Sequence, residues 1–421
     1  MTFSSNIEKV ILDNGMTVLV ETIPNTHSCA IAVAITQGSR DECLDQCGYS
    51  HFLEHMIFKG TASRSALEIA DCLERRGGYL NAMTGYENTW VEARCLDQHL
   101  DLAVDLIGDM LSNSVFSPGS IVNERKVIIE EIRTIKDTPE ELVFDLFFSD
   151  LFKQHSLGRS IFGTINNLKK INQQKIISFY KKKYHYSNII IGIAGNPYPG
   201  VVNTIVDKFQ LKPGRIKTRK KVNLLGRGKK KHFKSRISQA QLVLGGLSYA
   251  ADDIRRYAFR ILMNILGGGL SSRLFQLLRE QQPLVYSIFS FYHTYSDLGV
   301  GGIYLSSSAN RISRISDILS AEFEKLRSGD ISKSKVEDGK EQLRSRIILG
   351  LEYTKARVNK LVNDEIYRKR YVQTEEINDI ISSVNSAQIN QMAADFFSDY
   401  NLIWTFLLPK GGRNGKNKVI G

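Results

Sequence analysis

The first half of the chain alternates short hydrophobic runs with longer amphipathic segments. Alternating apolar residues around a turn at 13–15 predict a β-hairpin over residues 10–20, and a strand follows at 29–36. Two further strands are predicted at 79–84 and 88–95. Apolar residues at helical spacing predict four helices, at residues 49–59, 65–76, 99–113 and 117–136. Helices and strands are therefore mixed throughout this half.

The second half repeats the closing segment of the first half. Five positions, each in a helix that leads into a buried strand, recur at one constant offset of 213 residues. The pairs are Ile171 and Val384, Ile176 and Ile389, Phe179 and Met392, Tyr184 and Phe397, and Asn188 and Asn401. We therefore expect an α+β protein with two homologous α/β-sandwich domains of about 210 residues each, related by internal duplication. The predicted domains are residues 1–211 and 235–421, joined by a basic linker at 212–234.

The net charge of +12 comes from one segment of the chain. Residues 212–236 hold twelve Lys and Arg and no Asp or Glu, so the rest of the chain has 44 basic and 44 acidic residues. This segment contains one aromatic residue, Phe233, so it lacks the stacking platform of a nucleic-acid binder and is predicted to be a solvated linker. Residues 1–150, with 11 basic and 24 acidic side chains, would repel phosphate. No nucleic-acid partner is expected.

Hydropathy predicts no membrane span. No stretch approaches the ~18 consecutive apolar residues that a spanning helix needs, and residues 1–10 lack the layout of a signal peptide. The expected location is the cytoplasm.

The strongest chemical signal is the pentad His-Phe-Leu-Glu-His at residues 51–55. Residues four apart on a helix share a face, so His51 and His55 can offer ring nitrogens to one metal ion, with Glu54 beside them. This is the HxxEH arrangement of inverted zincins. Two histidines do not hold catalytic zinc alone, and a third protein ligand is expected.

The predicted helix at 117–136 offers three candidates for the third ligand, Glu124, Glu130 and Glu131. Glu124 and Glu131 are seven residues apart and share a helix face, whereas Glu130 is rotated by ~100° from Glu131. Spacing alone leaves the choice open.

Three segments together resemble the pitrilysin/insulinase family of zinc peptidases, and most closely the short bacterial members related to mitochondrial processing peptidase. They are HFLEHMIFKGT at 51–61, GGYLNA at 77–82 and NERKVIIEE at 123–131. The resemblance implies one zinc ion per chain, bound by His51, His55 and a glutamate 76 residues after His55, which is Glu131.

The resemblance also assigns roles to residues around the metal. It makes Glu54 the general base and Glu124 an acidic residue that supports the site, and it leaves Glu130 as a bystander. Asn81 and Ala82 match the edge strand along which the family pairs extended substrates.

In the second half, the resemblance implies that Arg279 and Tyr286 contact the substrate backbone near the scissile bond, where they could stabilise an oxyanion. No second HxxEH occurs there, and the residue 213 positions after His51 is Asn264. Long members of the family contain four such domains in one chain. We therefore expect a homodimer in which Arg279 and Tyr286 complete the site of the partner chain.

Two functions follow from these features. The first is a zinc-dependent metalloendopeptidase that cleaves extended or presequence-like peptides inside a closed chamber, with a preference for basic residues near the cut because residues 1–150 are acidic. The alternative is a non-catalytic scaffold or partner subunit of a processing-peptidase-like assembly. Loss of activity normally alters the motif, and every catalytic position is present here.

Overall fold

The computed structural model describes residues 6–215, 218–222, 225–398 and 401–410. The chain divides into two compact units, and neither is one continuous stretch of sequence. Apart from residues outside the described ranges, the first unit comprises 1–134, 159–220 and 349–371, and the second comprises 135–158, 221–348 and 372–421.

Fifteen helical segments are found in the described part of the chain. They are α1 (Tyr49–Ile57), α2 (Ala66–Glu74), α3 (Leu100–Asn113), α4 (Pro118–Asp137), α5 (Pro139–Leu151), α6 (Ile165–Lys169), α7 (Gln173–Lys183), α8 (Val201–Lys208), α9 (Arg256–Gly267), α10 (Arg273–Phe275), α11 (Ile312–Arg327), α12 (Lys333–Gly350), α13 (Thr354–Arg368), α14 (Thr374–Ser383) and α15 (Ser386–Phe396). The four helices predicted in the first half correspond to α1 to α4.

The first unit is built on a six-stranded sheet. Its strands are β1 (Asn6–Ile11), β2 (Thr17–Thr22), β3 (Ser28–Ile35), β4 (Tyr79–Thr84), β5 (Thr89–Leu96) and β6 (Ile189–Gly195). They lie in the order β1-β2-β6-β3-β5-β4, and every neighbouring pair is antiparallel except β2 and β6. The strand β4 is therefore an edge strand.

Helices cover both faces of the first sheet. The helices α1 and α3 bury their apolar side chains in the larger core on one face, and α13 packs against β3 and β6 on the other. Small residues on β3 and a glycine on β6 allow this second contact. A Cβ atom on Gly192 would lie 2.4 Å from a methyl carbon of Val362, so α13 could not approach β6 as closely with any larger residue there.

The second unit repeats this plan with five strands. These are β7 (Gly228–Lys234), β8 (Ala240–Ser248), β9 (Val285–Thr294), β10 (Gly299–Ser307) and β11 (Ile403–Pro409), in the order β7-β11-β8-β10-β9. The pairing of β7 with β11 is parallel, like that of β2 with β6, and the other pairs are antiparallel. The strand orders match if β1 is omitted, so the predicted α+β class with two homologous domains is confirmed.

The domain boundaries differ from those expected from the sequence, because two helices change partners. The helix α5 comes from the first half of the chain but packs on β8 and β11 of the second unit, where Thr405 donates a hydrogen bond to Asp150 (2.9 Å). The helix α13 comes from the second half and covers the first sheet. Each sheet needs a helix on its far face, and sequence continuity does not reveal which helix supplies it.

The basic segment at 212–234 is also more ordered than a solvated linker. Its residues 228–234 form β7, and Arg219 binds both carboxylate oxygens of Asp41 at 2.8 and 3.0 Å and the carbonyl of Glu87 at 2.6 Å. The segment is therefore anchored to the first unit at Arg219 and contributes a strand to the second. Within the described residues, no helix is both long enough and apolar enough to cross a membrane.

Candidate metal centre

The helix α1 is fixed at its start by a buried glutamate. The backbone N–H groups of Gly48 and Ser50 donate to the two carboxylate oxygens of Glu42, at 2.8 and 2.5 Å. Phe52, Leu53 and Met56 are fully buried and anchor α1 in the core. This anchoring turns the face that carries the two histidines toward α4.

Glu42 gives the metal-free protein a defined pH dependence. Burial raises the pKa of this carboxyl group to about 7, against the lowering effect of the Ser50 and Gly48 N–H groups. A raised pKa means that the folded state holds a proton that the unfolded state has released, so this contribution to stability is lost as pH rises from 4.5 to about 7. We expect the free energy of unfolding of wild type, minus that of Glu42→Gln, to fall across this window by at most about 1.4 kcal/mol per pH unit.

Urea unfolding of both proteins in the presence of a chelator, at half-unit steps from pH 4.5 to 8, measures this difference. A difference that stays constant, or that grows with pH, would contradict the assigned role of Glu42. The chelator keeps metal binding out of the comparison.

The helix α4 brings a carboxylate to the two histidines. An oxygen of Glu131 lies 3.7 Å from Nε2 of His51 and 3.7 Å from Nε2 of His55. The three candidate ligand atoms all lie within 4.8 Å of one another. His51 is buried, whereas His55 and Glu131 keep 22% and 37% of their side chains exposed, so the group can be reached from solvent. Among the described residues this is the one cluster suited to a metal ion.

The other two glutamates on α4 have different environments. Nδ1 of His55 donates to Glu124 at 3.1 Å, on the side of the ring away from Glu131. Glu130 is exposed and pairs with Arg133 on the next turn. Of the three candidates left open by spacing, Glu131 has the position of a ligand, and Glu124 has that of a residue that orients a ligand.

His51 is oriented by packing rather than by a hydrogen bond. Its ring meets Phe162 edge to face with ring centres 4.8 Å apart, and its Nδ1 has no hydrogen-bond partner among the described residues. Phe162 reaches this position because the following residue is glycine. A Cβ atom on Gly163 would lie 2.3 Å from the carbonyl oxygen of Cys47, just before α1. Burial, with a smaller effect of His55, lowers the pKa of His51 to about 3, so the ring is neutral and keeps a lone pair for a metal.

Glu54 lies beside the cluster and is almost enclosed. One oxygen of its carboxyl group is buried without a hydrogen-bond partner in the described part of the chain. Burial raises the pKa of Glu54, although polar groups of Thr84 and the charge of His55 act in the opposite direction. Two neutral imidazoles and a carboxylate form a donor set suited to catalytic zinc, and Glu54 has a free acceptor beside it. The residues present therefore fit the implied metal.

The edge strand β4 runs past Glu54 and distinguishes the two predicted substrate-binding residues. The N–H of Gly85 bonds the carbonyl of Asn88, and the alternation of an antiparallel ladder then pairs the backbone of Asn81 with β5. The N–H and C=O of Ala82 are directed at the open edge instead. The Ala82 side chain is buried, whereas that of Asn81 is exposed on the opposite face. Ala82 therefore has the geometry to pair with an extended peptide.

The remaining predicted residues lie in the second unit. The guanidinium of Arg279 lies over the ring of Phe275 at 5.0 Å, and the half-exposed Tyr286 on β9 shares a hydrogen bond with Ser308 (3.1 Å). Asn264 is buried and donates to Gln342 at 2.6 Å. The position that corresponds to His51 is thus occupied by an amide pair.

The sequence analysis did not identify Thr84, Phe162 or Lys59 as neighbours of the site. Lys59 lies 2.9 Å from Glu124. A signal for it was available, because Lys59 follows His55 by four residues and so continues the same helix face. Nothing in the sequence connects Phe162 or Thr84 to α1, since those contacts depend on tertiary structure.

Two α/β units, one of which presents an HxxEH helix facing a glutamate, define the class of inverted zincins. Residues 17–165 match the family description "Insulinase (Peptidase family M16)", and residues 170–343 match "Peptidase M16 inactive domain". The chain belongs to peptidase family M16.

Individual relatives agree with this assignment. The chain is 33% identical to the uncharacterized zinc protease YmxG of Bacillus subtilis over 96% of its own length and 99% of that protein. It is 34% identical to an uncharacterized zinc protease of Rickettsia felis, covering 93% and 95% of the two chains.

Solved structures show the same fold. A protease from Helicobacter pylori has a TM-score of 0.89 at 22% identity, covering 96% of this chain and 100% of that one. A peptidase M16 inactive domain from Pseudomonas fluorescens also has a TM-score of 0.89, at 17% identity, with 97% and 99% covered.

Proposed function

We propose that this chain is a zinc-dependent metalloendopeptidase that hydrolyses extended peptides within a closed chamber. The observation that carries the proposal is the convergence of His51, His55 and Glu131 next to the carboxyl group of Glu54. Bound zinc lowers the pKa of a coordinated water toward neutrality and polarises the carbonyl that is attacked.

The protein supplies the proton transfer and the alignment of the substrate. Glu54 accepts a proton from the attacking water, and its raised pKa brings its proton affinity closer to neutral pH. The backbone of Ala82 pairs with the substrate at the edge of the sheet, which selects for an extended conformation more than for particular side chains. A mainly backbone-mediated contact supports loose sequence specificity.

Cleavage of a random peptide library by the zinc-loaded chain tests this function. We expect cleavage that a chelator abolishes and that added zinc restores. Because residues 1–150 are acidic, peptides with Arg or Lys near the cut should be preferred, and salt should weaken the preference. If the zinc-loaded chain cleaved no member of the library, the peptidase proposal would be wrong.

The second candidate, a non-catalytic partner subunit, is favoured by one observation. The second half of the chain matches a family description that contains the word "inactive". That match covers residues 170–343, however, and the residues of the candidate metal centre all lie before them. A chain that bound zinc at this centre but cleaved no peptide would favour the partner role.

We further propose that the working form is a homodimer in which Arg279 and Tyr286 act on the partner's metal site. A mixing experiment tests this. One chain carries Glu54→Gln, and the other carries Arg279→Ala with Tyr286→Phe, so each is inactive alone. After subunit exchange we expect about a quarter of the wild-type activity per chain, since half of the dimers are mixed and each mixed dimer has one intact centre. If exchange is demonstrated and the mixture remains inactive, Arg279 and Tyr286 do not act in trans.

A further inference from the structure

Lys59 lies one turn beyond His55, on the face of α1 that carries both histidines. The helix ends at Ile57, but the N–H groups of Phe58 and Lys59 still donate to the carbonyls of His55 and Met56, at 3.3 and 3.1 Å. The chain therefore keeps a helical turn through Lys59. A basic residue in this position is also favoured by the negative end of the helix dipole.

Lys59 and His55 hold the two oxygens of one buried carboxylate. The Lys59 ammonium lies 2.9 Å from Oε1 of Glu124, and Nδ1 of His55 lies 3.1 Å from Oε2. Glu124 keeps only 8% of its side chain exposed, and that of Lys59 is 35% exposed. With one partner on each oxygen, the carboxylate can rotate only if it gives up a charge-assisted hydrogen bond.

We propose that Lys59 is a positioning residue of the metal site. It holds Glu124 in the orientation that accepts Nδ1–H of His55, and this orientation directs Nε2 of His55 toward Glu131. Partners of this kind, one step removed from the metal, fix the tautomer and the ring direction of ligating histidines. This inference rests on the proposed binding of zinc by His51, His55 and Glu131.

The two histidines differ in a way that makes Lys59 specific to one of them. His51 has no hydrogen-bond partner for Nδ1 among the described residues and is held by contact with Phe162. His55 is more exposed and has one polar partner, Glu124. Loss of Lys59 should therefore loosen His55 and leave His51 in place.

A purely structural role for Lys59 makes a different prediction. If the Lys59–Glu124 ion pair did no more than tie α1 to α4, its removal would lower the melting temperature without changing zinc affinity. Zinc affinity, measured by competition with a chromophoric chelator, distinguishes the two roles and does not depend on peptidase activity.

The variants are Lys59→Met, which removes the charge, Lys59→Arg, which restores it, and Lys182→Met as a control on the exposed surface of α7. We expect Lys59→Met to bind zinc at least about tenfold more weakly, because loss of such a partner typically costs 10–100-fold in metal affinity. Lys59→Arg should lie within about threefold of wild type and Lys182→Met should match it. If Lys59→Met does not fold, Lys59→Gln removes the same charge.

A double-mutant cycle shows whether Lys59 acts through Glu124. In a Glu124→Gln background, adding Lys59→Met should change zinc affinity by less than about twofold, because the residue it acts through is already altered. Unchanged zinc affinity in Lys59→Met, or the same tenfold loss in both backgrounds, would overturn the inference. If wild type itself bound no zinc, the proposed function would fail before this inference was reached.

Discussion

Replacing Glu54 with Gln should lower kcat for peptide hydrolysis by about 100-fold to 10,000-fold, the usual contribution of a general base. Gln keeps the size of the side chain and its hydrogen-bonding capacity but cannot accept the proton from the attacking water. The zinc content should stay at the wild-type value, because Glu54 is not one of the three candidate ligands. The melting temperature should not fall, since a neutral amide replaces a carboxyl group whose pKa is already raised by burial.

Steady-state kinetics with a peptide from the library, together with metal analysis, provide the measurement. Near wild-type turnover in Glu54→Gln would show that another group accepts the proton. Loss of zinc from this variant would instead place Glu54 among the ligands.

Replacing Glu131 with Gln should remove both zinc and activity, whereas the same change at Glu130 should preserve both. The two residues are neighbours on α4, but Glu131 approaches both imidazoles and Glu130 pairs with Arg133 at the surface. Residues one step removed from the metal already contribute 10–100-fold to affinity, so loss of a direct ligand should cost more than about 100-fold. Zinc titration of the two variants side by side is a matched comparison, because the chemical change is identical.

The result at Glu130 carries as much weight as the result at Glu131. Equal zinc affinity in the two variants would contradict the ligand assignment, and loss of zinc from Glu130→Gln alone would exchange the two roles. His51→Ala should behave like Glu131→Gln.

The metal-bearing helix could be predicted from the sequence because its information is local. His51, Glu54 and His55 lie within one turn and a half of α1, and helix geometry alone places them on neighbouring positions. The third residue could not be chosen by spacing, because Glu124 and Glu131 share a face of α4. What separates them is how far along α1 each one reaches, and that depends on how α1 and α4 pack.

The fold class was predictable for a similar reason, and the composition of the two units was not. The repeat at an offset of 213 residues identifies the duplication, since each copy ends in a helix that leads into a buried strand. Nothing local shows that α5 covers β11, or that α13 covers β6. The charge of residues 212–236 suggested solvent exposure throughout, yet Arg219 is anchored by Asp41 and residues 228–234 join a sheet.

The most direct test of the account is anomalous X-ray diffraction at the zinc absorption edge from crystals of the zinc-loaded wild-type chain. The account predicts one strong anomalous peak per chain, ligated by Nε2 of His51, Nε2 of His55 and a carboxylate oxygen of Glu131, with Nδ1 of His55 on Glu124. A peak bound through Glu124 or Glu54 in place of Glu131, or a peak elsewhere in the chain with none at these three residues, would contradict it.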